Sequence, residues 1–318
     1  VYKYLMDNVK DGVGIMLGCC GAPADWAGRQ DLVKKNMEDI KCKWEKAGKP
    51  TFILACSSCY RTFKKYIPDI KLISLWEVMD KYGVQGNNKT EKKKVLAVQD
   101  ACSTRHNKEI HESIRSIADK LGYEIKELKF SREKTKCCGY GGLVYFANRQ
   151  QSREFAKDRV GESNLDYLVY CAMCKDLCID EGKKTFHILD LIYSDDLGLR
   201  KVPSLSKRHE NRALVKKKLL QKIWNEEIND FKKDYGFKLN IADNVKNQME
   251  ERLILLEDIE KAVDNAQKNK ERFFNPENSH YLCRLRIGSV TYWVEYEKSE
   301  NEILVKDVYS HRMEIVEE

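Results

Sequence analysis

Through residues 1 to 200, short β-branched runs alternate with longer amphipathic ones. The runs are "VGIML" at 13 to 17, "TFILA" at 51 to 55, "KLISL" at 71 to 75, "VLAVQ" at 95 to 99, "YEIKEL" at 123 to 128 and "DYLVY" at 166 to 170. Helical periodicity fills the gaps, notably Arg29 to Ala47, Arg105 to Leu121 and Tyr145 to Val160. Strands that alternate with helices predict α/β units built on mainly parallel sheets. After "GLRKVPSLSK" at 198 to 207 the texture changes. Lys/Glu-rich helices are expected over about 204 to 234 and 241 to 268, ahead of a strand-rich tail. In that tail Tyr292, Val294 and Tyr296 alternate with Thr291, Trp293 and Glu295, the period of a half-buried antiparallel strand. The predicted fold class is α/β: two pseudo-repeated parallel-sheet units, then a smaller α+β domain of two helices and a three-stranded antiparallel sheet.

The two α/β units read as copies. Cys19-Cys20 falls on Cys137-Cys138 with an offset of 118, and Cys56/Cys59 on Cys171/Cys174 with an offset of 115. In each copy a strand runs into CxxC, a helix follows, and another strand comes next, "KLISLWEVM" and "KTFHILDLI". Duplication is the simplest account. The polar stretch "GVQGNNKTEKKK" at 83 to 94 is the expected linker. The domains expected are therefore 1–86, an N-terminally incomplete first repeat, 93–198, the second repeat, and 204–318.

With 318 residues, 42% hydrophobic and 34% charged, the chain is long enough for two or three cores, and disorder is not expected. Its apolar runs are only a few residues long, too short for a membrane-spanning helix, while peripheral attachment stays open. The chain begins at Val1 and "VYKYLMDNVKDG" reads as a helix already under way, so a longer parent chain is expected. The net charge of +7 is uneven: Lys201 to Lys222 holds eight bases and one acid. Such a run suits phosphate or an acidic partner. No aromatic-interleaved basic motif accompanies it, so a solvated helix face is the reading and nucleic acid is not an expected partner.

Twelve cysteines in a large, Lys/Glu-rich chain point to a reducing, cytoplasmic setting rather than a secreted disulfide scaffold. Thiolates bind soft metals, and CxxC at a helix start lets two sulfurs converge near N-terminal amides. A lone CxxC leaves zinc, thiol exchange and iron-sulfur open. The spacing here is narrower: thirty-four residues separate Cys102 from Cys137, thirty-two separate Cys138 from Cys171, and thirty-five separate Cys20 from Cys56. Five thiols in the second copy exceed what one tetrahedral zinc needs and suit a polynuclear cluster. Gly21, Gly139, Gly141 and Gly142 would let bare backbone approach inorganic sulfide, or else simply make tight turns. Cys178, one helical turn beyond Cys174, is either a sixth thiol near the cluster or, as preferred, a buried inert cysteine, and Cys42 and Cys283 read as core or chance.

At these residues the chain resembles a known family. "GCCG" with "CSSC", then "DACSTR" with "KCCG" and "CAMC", closely resemble the duplicated cysteine-rich CCG domain of the B-type heterodisulfide reductases, with relatives in the iron-sulfur subunits of glycolate oxidase, lactate utilisation and anaerobic glycerol-3-phosphate dehydrogenase systems. The likeness covers roughly residues 1 to 195. It implies two non-cubane 4Fe-4S clusters. One would be held by Cys102, Cys137, Cys138, Cys171 and Cys174, which would also be the catalytic set. The other would be held by Cys19, Cys20, Cys56 and Cys59, with a fifth cysteine expected ahead of Val1. The implied activity is an oxidoreductase that reduces a small-molecule or protein disulfide at a cluster, or relays electrons to a partner. The expected donor is an iron-sulfur or flavoprotein subunit or domain, because no dinucleotide fingerprint or P-loop occurs in the chain. Arg29, Arg61, Arg105, His106 and Arg149, each near a cysteine motif, are candidates to stabilise cleaved thiolates, although surface solvation or helix capping is the preferred expectation for any single one. The alternative is a non-catalytic interaction module stabilised by zinc or a cluster.

The tail "RLRIGSVTYWVEYEKSENEILVKDVYSHRMEI" faintly resembles the strand region of RelE-type toxins, which would make Arg284, Arg286, His311 and Arg312 ribonuclease candidates. A docking or regulatory domain on a common small fold is the preferred expectation.

Overall fold

The computed structural model describes residues 1–86, 94–197, 201–226, 234–299 and 302–313. The chain divides into two compact units, Val1–Val202 and Pro203–Glu318. Most of the expected linker, residues 87–93, lies outside the described residues, as does 227–233 at the end of the helix expected over 204 to 234.

The first unit opens with α1 (Tyr2–Asn8), α2 (Ala22–Trp26), α3 (Gln30–Lys46), β1 (Phe52–Leu54), α4 (Ser57–Tyr66), β2 (Leu72–Ser74) and α5 (Leu75–Tyr82). It continues through β3 (Lys94–Gln99), a 3-10 turn at Cys102–Thr104, α6 (Lys108–Lys120), β4 (Tyr123–Glu127) and a second 3-10 turn at Arg132–Lys134. Then follow α7 (Val144–Ala147), α8 (Arg149–Val160), β5 (Tyr167–Val169), α9 (Ala172–Asp180), β6 (Thr185–His187) and α10 (Ile188–Tyr193). β1 and β2 pair in parallel, and β4-β3-β5-β6 form a second, wholly parallel sheet.

The duplication is visible in detail. Strands β1 and β5 each deliver an extended cysteine, Cys56 or Cys171, that is the N-cap of the next helix. Strands β2 and β6 each end on a residue that closes a capping box, Ser74 with Glu77 and His187 with Asp190. α3 buries Val33, Met37, Ile40 and Trp44 on one face, as its period requires. The copies share a core: Trp76 and Met79 of α5 are buried with Ile110, Ile114 and Ile117 of α6 and with Leu96 and Val98 of β3. Each such side chain taken from water contributes roughly 2–3 kcal/mol.

The strand expected at 13 to 17 does not form: Met16 and Leu17 stay exposed, and among the described residues the sheet of the first copy has only β1 and β2. The helix expected from Tyr145 to Val160 is two helices. Asn148 leaves the helical region (φ −149, ψ 86), and its side chain accepts from the Gln151 amide at 3.0 Å to start α8.

The second unit runs α11 (Leu205–Trp224), β7 (Lys238–Ile241), α12 (Asp243–Arg252), α13 (Leu256–Asn269), β8 (Arg272–Asn275), β9 (His280–Ile287), β10 (Val290–Lys298) and β11 (Glu302–His311). Its sheet has five strands among the described residues, in the order β7-β11-β10-β9-β8, rather than the three expected. The antiparallel β9-β10-β11 core is as expected. β8 adds an antiparallel edge and β7 a parallel one. Both added strands are four residues long, too short for a period to stand out in sequence. The helix expected over 241 to 268 breaks at Leu253, whose left-handed backbone (φ 58) separates α12 from α13. Val245, Ile259, Val263, Val294, Tyr296 and Val305 lie in the core of this unit.

Candidate metal centre

Parallel strands place the loops at their carboxyl ends side by side, the usual location of a site in such sheets. β3 and β5 are neighbours, so Cys102, just beyond β3, and Cys171, just beyond β5, emerge together. The loop before α7 brings Cys137 and Cys138 to the same end. Cys102 Sγ lies 3.7 Å from Cys137 Sγ, and Cys174 Sγ lies 3.3 Å from Cys138 Sγ. Cys137 also contacts Cys138, and Cys171 contacts Cys174, so the five sulfurs form a continuous string: Cys102, Cys137, Cys138, Cys174, Cys171.

The CCG sequence has a local reason that repeats in both copies. Gly139 and Gly21 sit at positive φ (96 and 78), and each amide donates to the first cysteine of its pair, at 3.3 Å to Cys137 Sγ and 3.4 Å to Cys19 Sγ. Glycine supplies that backbone at no steric cost. At Gly139 a second constraint applies, because a Cβ there would stand 2.5 Å from the Ser152 carbonyl oxygen of α8. The loop is pressed against that helix.

The sulfurs differ in proton affinity along the string, because a thiol that accepts a hydrogen bond ionises more readily than the thiol that donates it. Hydrogen bonds from Cys102 and Cys138 lower Cys137 to about 2, and Cys174 lowers Cys171. The partner thiols Cys102, Cys138 and Cys174 are raised by those same contacts and by burial. In the first copy, contact with Cys59 lowers Cys20 to about 7 and Cys56 to about 6, and Cys59 is raised in turn. Cys19 stands apart: it is exposed, with its sulfur on the Gly21 amide and its carbonyl accepting from Asn36 at 2.9 Å.

The two clusters of thiols are neighbours within the first unit. α4, which follows Cys56, packs on the Cys102–Thr104 turn, and charge at Cys56 disfavours ionisation of Cys171. Among the described residues no three His, Cys, Asp or Glu side chains are arranged around a point to hold a single metal ion. Five soft donors in a string, rather than four about a centre, fit a multi-iron group better than one zinc.

The basic candidates do not converge. Arg29 pairs with Asp31 at 2.6 Å, Arg105 donates to the Thr135 carbonyl at 2.7 Å, and the Arg149 guanidinium lies 4.8 Å from the Tyr145 ring centroid. Arg61 and His106 are exposed. Cys178 is buried in a separate patch with Ala97, Leu128 and Tyr167, where burial raises it to about 12. Cys42 is exposed on α3, and Cys283 is in the core of the second unit. In that unit Arg284 and Arg286 share a sheet face with His311, which accepts from Trp293 Nε1 at 3.0 Å; Arg312 lies exposed past β11.

Sequence reasoning missed the polar frame behind the second cysteine set, in particular Gln99, Asp100, Arg115, Thr135 and Tyr170. The available signal was "QD" closing an otherwise apolar strand directly ahead of a cysteine.

The family model of the cysteine-rich domain, CCG, matches residues 12–64 and 96–175, the layout of a duplicated CCG domain. No match was found among curated proteins or among solved structures.

Proposed function

We propose, taking the two CCG cysteine-rich segments as the premise, that this chain is an iron-sulfur redox protein of the heterodisulfide reductase B type. CCG domains occur in iron-sulfur redox proteins. One non-cubane four-iron cluster would be held by Cys102, Cys137, Cys138, Cys171 and Cys174, and the other by Cys19, Cys20, Cys56 and Cys59. The observation that carries the reading is the string of five sulfurs at the carboxyl ends of β3 and β5.

A bound cluster supplies iron sites for sulfur and accepts electrons one at a time. The rest falls to the chain. Gly139 and Gly21 amides donate to sulfur and favour its anionic form. Cys138 and Cys174, each 4% exposed, keep water from the inner side of the second set. Cys19 would turn from the Gly21 amide to join its three partners. Reduction of a disulfide to two thiols takes two electrons and two protons. The electrons would come from an iron-sulfur or flavoprotein subunit or domain.

Iron and acid-labile sulfide per chain, measured on anaerobically purified protein, test this directly. About eight of each is expected for two four-iron clusters, and about four if only the five-cysteine set assembles. Zinc without sulfide would overturn the redox reading in favour of an interaction module. Cys102→Ala should remove or convert the second cluster and with it disulfide-dependent turnover; turnover that survives would exclude that set as the place of reaction.

A further inference from the structure

Behind the second cysteine set lies one buried carboxylate with every acceptor position filled. Asp100 is 0% exposed and sits two residues before Cys102. Its Oδ1 accepts from Arg115 Nη1 at 3.0 Å and from the Tyr170 hydroxyl at 3.1 Å. Its Oδ2 accepts from Arg115 Nη2 at 2.8 Å and from the Arg132 backbone amide at 2.8 Å. These partners belong to different segments. Arg132 opens the loop that leads to Cys137 and Cys138, Tyr170 immediately precedes Cys171, and Arg115 anchors the group to α6.

The backbone beside the carboxylate is tied to the same segments. Thr135 Oγ1 donates to the Asp100 carbonyl at 3.0 Å, and Gln99 Nε2 bridges that carbonyl at 2.9 Å and the Lys136 carbonyl at 3.2 Å. Arg159 in turn holds Gln99 Oε1 through its Nε. On the other side, the Tyr170 hydroxyl meets Thr104 Oγ1 at 2.9 Å, in the turn that carries Cys102. Every loop that bears a cysteine of the second set is thus fastened to Asp100 directly or through one side chain.

We propose that Asp100 is the positioning residue of the second cysteine set: its carboxylate locks the loops of Cys102, Cys137-Cys138 and Cys171-Cys174 in register, so that the five sulfurs meet before any metal binds. This rests on reading that set as a metal site. Because preorganisation is a property of the free thiols, it is measured without metal. Asp100→Asn keeps the shape but loses two of the four acceptor contacts whichever way the amide turns, and removes the buried one of the two carboxylates that Arg115 pairs with, leaving Glu127 at 2.7 Å as the other.

The test is thiol cross-linking of metal-free protein by diamide, with each disulfide mapped by mass spectrometry. In the wild type, Cys102 and Cys137 should join readily from their 3.7 Å separation, and Cys20 and Cys59 in the first copy serve as the internal reference. Asp100→Asn should slow the Cys102–Cys137 cross-link about tenfold, equivalent to ~1.4 kcal/mol of lost preorganisation, and leave Cys20–Cys59 unchanged. If both links fail together because the variant does not fold, Tyr170→Phe decides. It removes a single hydroxyl, and a selective fall at Cys102–Cys137 supports the role. Wild-type cross-linking in either folded variant overturns it. Iron loading separates the two readings: wild-type protein that takes up no iron rejects the metal site, while the cross-linking result still reports on Asp100.

Discussion

Gly139 combines a positive φ with a backbone oxygen 2.5 Å from where a Cβ would stand. Gly142, three positions on, has a positive φ but nothing within 4 Å of the same place. Alanine at Gly142 should therefore cost only the backbone strain, about 1 kcal/mol. Alanine at Gly139 must also push the loop off α8, for a total of about 3 kcal/mol, and should pull Cys137 away from Cys102. Denaturant unfolding of the two variants checks this, and equal costs would mean that the contact with Ser152 does not govern the loop. The need for glycine was legible in the CCG motif. Ser152 was not, because the close approach joins residues thirteen apart across a break between two helices.

Between strands and helices, the informative joint is the one from β6 to α10. His187 caps α10 with Nδ1 accepting from the Leu189 amide at 3.2 Å, while its own amide donates to Asp190 at 2.7 Å. Burial lowers the imidazole to about 4, against the opposing pull of Asp190 and with help from Lys175, the charged groups that face it; the Trp76 ring packs alongside. The unfolded chain takes up this proton near pH 6.5 and the folded chain only near pH 4, so the unfolded state binds more protons between those values. The contribution of His187 is complete above pH 6.5 and is lost progressively as the pH falls toward 4, by on the order of 3 kcal/mol in all. His187→Asn keeps a capping acceptor and has no titration. Urea unfolding at about pH 7 and about pH 5 should show a shallower pH dependence in the variant. The same slope in both proteins would rule out this histidine as a source of acid sensitivity. The capping role itself was hidden in the sequence, since "HILD" lacks the Ser or Thr that marks its counterpart "SLWE".

At the scale of the molecule, Pro203–Glu318 has a core of its own, built from α12, α13 and the inner face of the five-stranded sheet. A fragment of residues 203–318 is expected to fold alone and to melt cooperatively with mixed helix and sheet signals; a fragment without a cooperative transition would show that this core depends on the rest of the chain. The first unit should not divide between its copies in the same way, because α5 of the first copy and α6 of the second are buried in one cluster. By itself the sequence determined the α/β alternation, the duplication and the identity of the cysteines, because strand and helix periods and the spacing of reactive side chains are local and survive in a linear string. Only the tertiary structure decided that the five sulfurs of the second copy form a string, that Cys19 stands outside its set, and that Asp100 joins three loops. Those facts depend on which strands lie side by side and which buried polar groups must satisfy one another, and residues thirty to seventy positions apart become neighbours only when the sheet forms.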